Sequence, residues 1–336
     1  MIRAGPVPSG GPASAAPFQL QSLEKRMNAK LIGGGLVAVV AVAAGVYFGV
    51  LRGGGSGDAA AAKERADKVF ANVKDKGGEL TYKSAEAPGG GLVLKDVTIN
   101  RKDETGKTQS FTVGEIRITR YDWDNPKQPA FADAEYKKLR IPHLAENPGF
   151  KEFASVTGHS ELVINAKGSF AYDKASKAVD LKSLDVEFEG IGTLSVTAKI
   201  EGVDIEQFSG TAQPDPAKLM GLMATIKLHG LRLAFKDAGG TAKLMKFGAH
   251  KEKKSEADIK AQMIAQLGQI KAAPFKIARE AGAAAESFLN KPGTIAIEAK
   301  PAAAFAFAQL MALMGKPDPA TIDKLTADLG LKVTAN

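Results

Sequence analysis

The sequence predicts an α+β protein: one N-terminal transmembrane helix, then a curved, mainly antiparallel β-sheet domain, with a helical segment in the C-terminal third. Three observations predict it. Residues 31–51, LIGGGLVAVVAVAAGVYFGVL, carry no charge, amide or hydroxyl apart from Tyr47. At about 1.5 Å rise per residue, a helix of that length crosses the roughly 30 Å hydrocarbon layer of a bilayer with its backbone fully bonded. From Glu79 onward apolar residues alternate with polar ones, the period of a strand with one face in water. Between residues 239 and 290 the spacing returns to three and four, the period of a helix.

Composition sets the limits. The chain has 336 residues, 44% hydrophobic and 24% charged, enough beyond the anchor to bury a full core. Its net charge is +8, but the lysines are scattered and seldom interleaved with aromatics, so no nucleic-acid partner is predicted. Cysteine is absent, which excludes a disulfide framework, a thiol nucleophile and a cysteine metal site.

In chain order, residues 1–26 are rich in Pro, Gly, Ser and Ala without periodicity, and no fold is expected there. Met27 is a candidate true start, since it leads directly into the apolar run. Residues 31–51 read as an anchor rather than a cleaved signal peptide, because the run exceeds an h-region and continues past the small-x-small site at Ala41-Val42-Ala43. Lys25, Arg26 and Lys30 before the span against Arg52 after it place the N-terminus in the cytoplasm. Gly45 and Gly49 form a GxxxG pair, a candidate packing site between two anchors, although this spacing arises easily in so glycine-rich a span. RGGGSGD is a flexible tether, and Ala66, Val69, Phe70 and Val73 mark a short amphipathic helix.

The first hairpin is predicted from Leu92, Leu94, Val97 and Ile99, with a bulge at Lys95-Asp96, and from Phe111, Val113, Ile116 and Ile118, with a slip at Gly114. YDWDNPKQPAF reads as a loop anchored by a buried Trp123, not as a carboxylate pair for catalysis. Residues 161–201 give a three-stranded meander. Its acidic row Asp185, Glu187, Glu189 reads as a solvated face, because alternate residues of a strand stand too far apart to enclose an ion. Residues 224–235 predict a further strand pair with a phase slip at His229-Gly230.

Pro-Asp-Pro-Ala occurs twice, at 214–217 and 317–320, each ahead of a helix and then a strand, which suggests an internal repeat. Ser255 and Asp258 make a capping box, and Pro274 separates two helices. Thr294 to Lys300 alternates as a strand, and AAAFAFAQLMALM at 302–314 reads as a buried apolar helix.

The lysines at 243, 246, 251, 253 and 254 read as a solvated helix edge, since polybasic clusters act on membranes only when held close to them. His143, His159, His229 and His250 stand far apart, and no nucleophile elbow, P-loop or dinucleotide fingerprint is present, so no enzyme, cofactor or metal is predicted.

The chain therefore divides into an unstructured segment (1–30), the anchor (31–51), a linker (52–62), an amphipathic helix (63–76), an antiparallel β-rich domain (77–238) and a helix-rich portion packed on the sheet with two further short strands (239–336). The anchor followed by GLVLKDVTIN, GEIRITRYDW and VDLKSLDVEFEGIGTLSVTAKIEGVD resembles the membrane-anchored, β-rich periplasmic proteins of Gram-negative bacteria around the AsmA-like group. The likeness runs over residues 30–205, and the helical segment departs from it. It implies an inner-membrane location with the large domain in the periplasm and a role in lipid or outer-membrane homeostasis, and it carries over no catalytic residue. Together these readings predict a protein that binds phospholipid or a hydrophobic segment on the apolar face of its sheet, with Leu184, Val186, Phe188, Leu194, Val196 and Ile200 as the candidate face. The alternative is a non-catalytic envelope scaffold whose partner is a protein.

Overall fold

The structure is a computed structural model, and it describes residues 58–70, 78–102, 106, 108–125, 129–141, 146–203, 221, 225–314 and 318–336. The predicted anchor with Gly45 and Gly49, Met27, the tether before residue 58, the first Pro-Asp-Pro-Ala and His143 lie outside them. Among the described residues no helix is long and apolar enough to cross a membrane.

One antiparallel sheet organises the described chain. Its strands are β1 (Glu79–Thr81), β2 (Ser84–Glu86), β3 (Leu92–Lys102), β4 (Thr108–Tyr121), β5 (Phe131–Arg140), β6 (Val163–Asp173), β7 (Ala178–Phe188), β8 (Gly192–Glu201), β9 (Lys227–Asp237), β10 (Thr294–Ala299), β11 (Phe305–Ala306) and β12 (Leu331–Ala335). From β3 to β10 each strand lies beside its neighbour in the chain, with β12 beyond β10; β1 and β2 both pair with β3, and β11 pairs with β9. The α+β class is therefore as the alternation predicts, and the meander of residues 161–201 is β6, β7 and β8.

Six α-helices are described: α1 (Asp58–Val69), α2 (Pro148–Thr157), α3 (Gly240–Glu252), α4 (Glu256–Lys271), α5 (Lys276–Asn290) and α6 (Pro319–Asp328). The first begins at Asp58, inside the predicted 52–62 linker. DAAAAK explains this correction, since alanine is the best helix former and an aspartate suits the positive end of a helix. Ala61, Ala62, Ala66 and Phe70 are buried, and the helix packs against β2 and β3. Helices α3, α4 and α5 form an excursion between adjacent strands β9 and β10, so the helical segment belongs to the sheet's own connectivity. The capping box of Ser255 and Asp258 starts α4 as predicted.

Several expectations need correction. Residues 224–235 are not a strand pair: β9 runs unbroken from Lys227, and His229 is a bulge, because the β8 register shifts between Lys199 and Ile200. Residues 302–314 are not an α-helix. Phe305 and Ala306 bridge to β9, and a 3₁₀ helix follows (Phe307–Met314), so three short strands rather than two lie beyond residue 239. Trp123 is only half-buried. Its Nε1 donates to Gly90 O at 2.9 Å and the Arg65 guanidinium stands 5.1 Å from its ring. Asp122 beside it is buried, and its carboxylate accepts from Asn125 N at 3.3 Å and Ala130 N at 3.0 Å. The sequence pattern predicts neither strand β5 nor helix α2.

The repeat is more extensive than Pro-Asp-Pro-Ala. GTLSVTAK opens β8 at Gly192, and GTIAIEAK begins at Gly293, the residue before β10; each strand leads through a Pro-Asp-Pro-Ala stretch to an antiparallel partner, β9 and β12. Both units begin with glycine for one reason. A Cβ at Gly192 would meet Lys236 O and the Phe235 ring, and one at Gly293 would meet Asn336 O.

Candidate functional site

Residues directly opposite in a sheet share a face, so the register sorts the six predicted face residues. All six fall on the same face, but the structure uses them differently. Val186 and Phe188 are buried and belong to the core. Leu194 pairs with Phe235, whose ring meets Phe288 of α5 at 6.3 Å. Ile200 packs against a second buried cluster, Leu228, Ala299, Phe305 and Leu325, together with Leu310 of the 3₁₀ helix and Leu329 after α6.

Leu184 and Val196 remain, and they are partners. The row continues through Leu233 on β9, Ile297 on β10 and Val333 on β12, five apolar residues on five neighbouring strands. At about 4.8 Å per strand it spans roughly 19 Å. On one side stands the Phe235–Phe288 contact, on the other the Leu228 cluster, and between them Leu233 and Ile297 are 38% and 41% exposed. The two repeat units supply equivalent halves of this row, Val196 with Leu233 and Ile297 with Val333. Sequence reasoning missed Leu233 and Ile297. Their alternation was legible, but which alternating residues stay uncovered depends on where α5 and α6 stop, which no local pattern shows.

The opposite face is polar and largely neutralised. Arg117, Glu135, Lys167 and Asp185 follow one another across β4 to β7, alternating in sign. Arg117 pairs with Glu115 at 3.1 Å, as does Lys137, and these bonds hold the Glu115 carboxyl below its ordinary value, the Lys137 bond contributing most. Asp185 accepts from Ser195 Oγ at 2.5 Å and faces Lys167 at 3.6 Å, while Asn165 Nδ2 bridges Glu187 and Glu189, both at 3.1 Å. A shallow depression of about 240 Å³ among Arg117, Asp133, Glu135, Lys167 and Ser183 lies on this paired surface. Such cross-strand pairs stabilise a solvated face, as the acidic row predicts. Among the described residues no group of three or more His, Asp or Glu is placed to hold a metal ion.

A family model described as an uncharacterized protein matches residues 185–336, which hold both repeat units and the α3–α5 excursion. No curated protein matches the chain.

Proposed function

We propose that this chain is an inner-membrane-anchored periplasmic protein of the cell envelope, held by residues 31–51, which lays a lipid acyl chain or an equally apolar peptide segment along the row Leu184, Val196, Leu233, Ile297, Val333. The observation that carries this reading is the pair Leu233 and Ile297, adjacent register partners left about two-fifths exposed on the apolar face of a sheet whose neighbouring rows are covered. Covering the exposed part of two such side chains returns about 1 kcal/mol each, and the flanking half-buried residues add to that. The apolar run at 31–51 and the resemblance to AsmA-like envelope proteins support the location. The role is one of holding, without catalysis.

The test compares the full chain with a Leu233→Glu/Ile297→Glu variant, both extracted from membranes in the same detergent, by native mass spectrometry and lipid extraction. Bound phospholipid at fixed stoichiometry in the wild type, lost in a variant with unchanged circular dichroism, is the expected result. Equal lipid content in both proteins overturns the assignment of the row.

A further inference from the structure

We infer that the α3–α4 hairpin is a second, independent contact surface, and that it lies on an anionic lipid surface. Three of the exposed large hydrophobic residues sit on it: Leu244 on α3, 56% exposed, and Met263 and Ile270 on α4, 39% and 42% exposed. The positions of Leu244 and Met263 follow from a close contact between the two helices. A Cβ on Gly248 would stand 3.3 Å from Ile259, so the helices touch there. Leu244 is one turn from Gly248 and Met263 one turn from Ile259, which places both on the facing stripes. Both are nonetheless exposed, so this part of the hairpin presents apolar surface to solvent.

Charge decides the occupant. Residues 240–290 hold nine Lys and Arg against five Asp and Glu, a net +4, half of the chain's +8 in less than a sixth of its length. On α4, Lys260, Met263, Leu267 and Ile270 recur at helical spacing, so the apolar stripe has a cation at its start, while at its end Lys271 pairs with Glu286 of α5 and Ile270 lies beside Gly282 of that helix. Lys253 stands at the turn between the helices. Aliphatic side chains flanked by lysines, on a hairpin that projects from the sheet, are the pattern of a helix at a bilayer interface. A protein partner is disfavoured by the same composition. Interface anchors are chiefly Trp, Tyr and Arg, which α3 and α4 lack, and Phe247 already packs on Phe153 at 5.5 Å.

This surface is separate from the row on the sheet. The chain has no cysteine, so Met263→Cys gives a single site for an environment-sensitive fluorophore on the full chain, with Lys182→Cys on the exposed β7 bulge as control. The probes are vesicles of phosphatidylcholine alone and of phosphatidylcholine with phosphatidylglycerol. A blue shift at residue 263 is expected with the anionic vesicles only, absent at residue 182. Lys253→Gln and Lys260→Gln each weaken the vesicle dependence by about fivefold. No shift at residue 263, an equal shift with neutral vesicles, or an equal shift at residue 182 overturns the inference. The Leu233→Glu/Ile297→Glu variant keeps the signal, so the two lipid readings fail separately.

Discussion

Asp96 stands across from Gly114, and each cancels the other's irregularity. Lys95 pairs with Glu115 on one side of them and Val97 with Val113 on the other, so the register of β3 and β4 is the same before and after. Both strands change apolar phase at this point: Leu92 and Leu94 give way to Val97, and Val113 to Ile116 and Ile118, all buried. The line continues into β5. Lys138 lies beside Gly114, has φ +55° like Asp96 at +51°, and its N donates to Asn165 Oδ1 at 2.8 Å.

The left-handed backbone at Asp96 is therefore required, and aspartate tolerates it better than most residues. Asp96→Gly is expected to leave urea stability unchanged or slightly raised, and Asp96→Val to cost about 1–2 kcal/mol. Equal midpoints for the Val and Gly variants would show that the strand can re-register around position 96.

Core and open row predict opposite responses on the same face. Val186, 1% exposed, has no room for a carboxylate, so Val186→Asp is expected to lose more than about 3 kcal/mol or fail to fold. Leu233→Glu is expected to stay within about 1 kcal/mol of wild type in the same urea titration. A large loss at Leu233 would make the whole face core and remove the basis for a binding row.

Where a pattern is set within one strand, spacing shows it: both phase slips of the first hairpin, the meander and the Ser255 cap are readable, whereas the slip at His229-Gly230 is visible but reads as a strand pair and is a bulge within β9. β5 was hidden because its inward positions are Ala132, Ala134 and Tyr136, too weak an alternation against Asp133, Glu135 and Lys137. The 3₁₀ segment reads as an α-helix because alanine, leucine and methionine favour one, and the bridge from Phe305 to Leu228 overrides that preference. Spacing puts the six candidate residues on one face, as the register does, but does not show which part of that face is uncovered. Val186 and Leu184 look alike in sequence, and only the placement of other elements separates them.

Asp237 joins β9 to α3 and carries a pH dependence. Its carboxylate accepts from Thr241 N at 2.7 Å, Thr241 Oγ1 at 2.8 Å and Gly239 N at 2.9 Å. Burial pushes its pKa up, but these bonds together with the Lys243 charge outweigh that and hold it below the ordinary aspartate value. A depressed carboxyl stabilises the fold above its unfolded pKa, and the contribution is lost as pH falls through the folded value. Asp237→Ala is expected to cost about 1–2 kcal/mol at neutral pH, the usual worth of a helix cap. Urea midpoints measured down the acid range should bring the wild type and Asp237→Asn together; a constant gap would mean that the charge is not what matters.

His159 titrates in the other direction of chemistry but with the same sign of effect. Its ring meets Phe153 edge-on at 6.3 Å beside the β7–β8 turn, where Lys243 Nζ donates to Gly190 O at 2.5 Å, and its buried Nε2 has no hydrogen-bond partner among the described residues. Burial lowers its pKa, and the nearby Lys243 charge lowers it further. The folded protein therefore holds His159 neutral while the unfolded chain takes up a proton near pH 6.5, so stability falls as pH drops from there toward the folded pKa. An NMR titration should place the His159 midpoint below that of a free histidine. Lys243→Met removes the second cause and should move the midpoint upward, and His159→Gln should flatten the stability profile between neutral and mildly acidic pH. A midpoint unmoved by Lys243→Met would leave burial as the sole cause and detach this histidine from the start of α3.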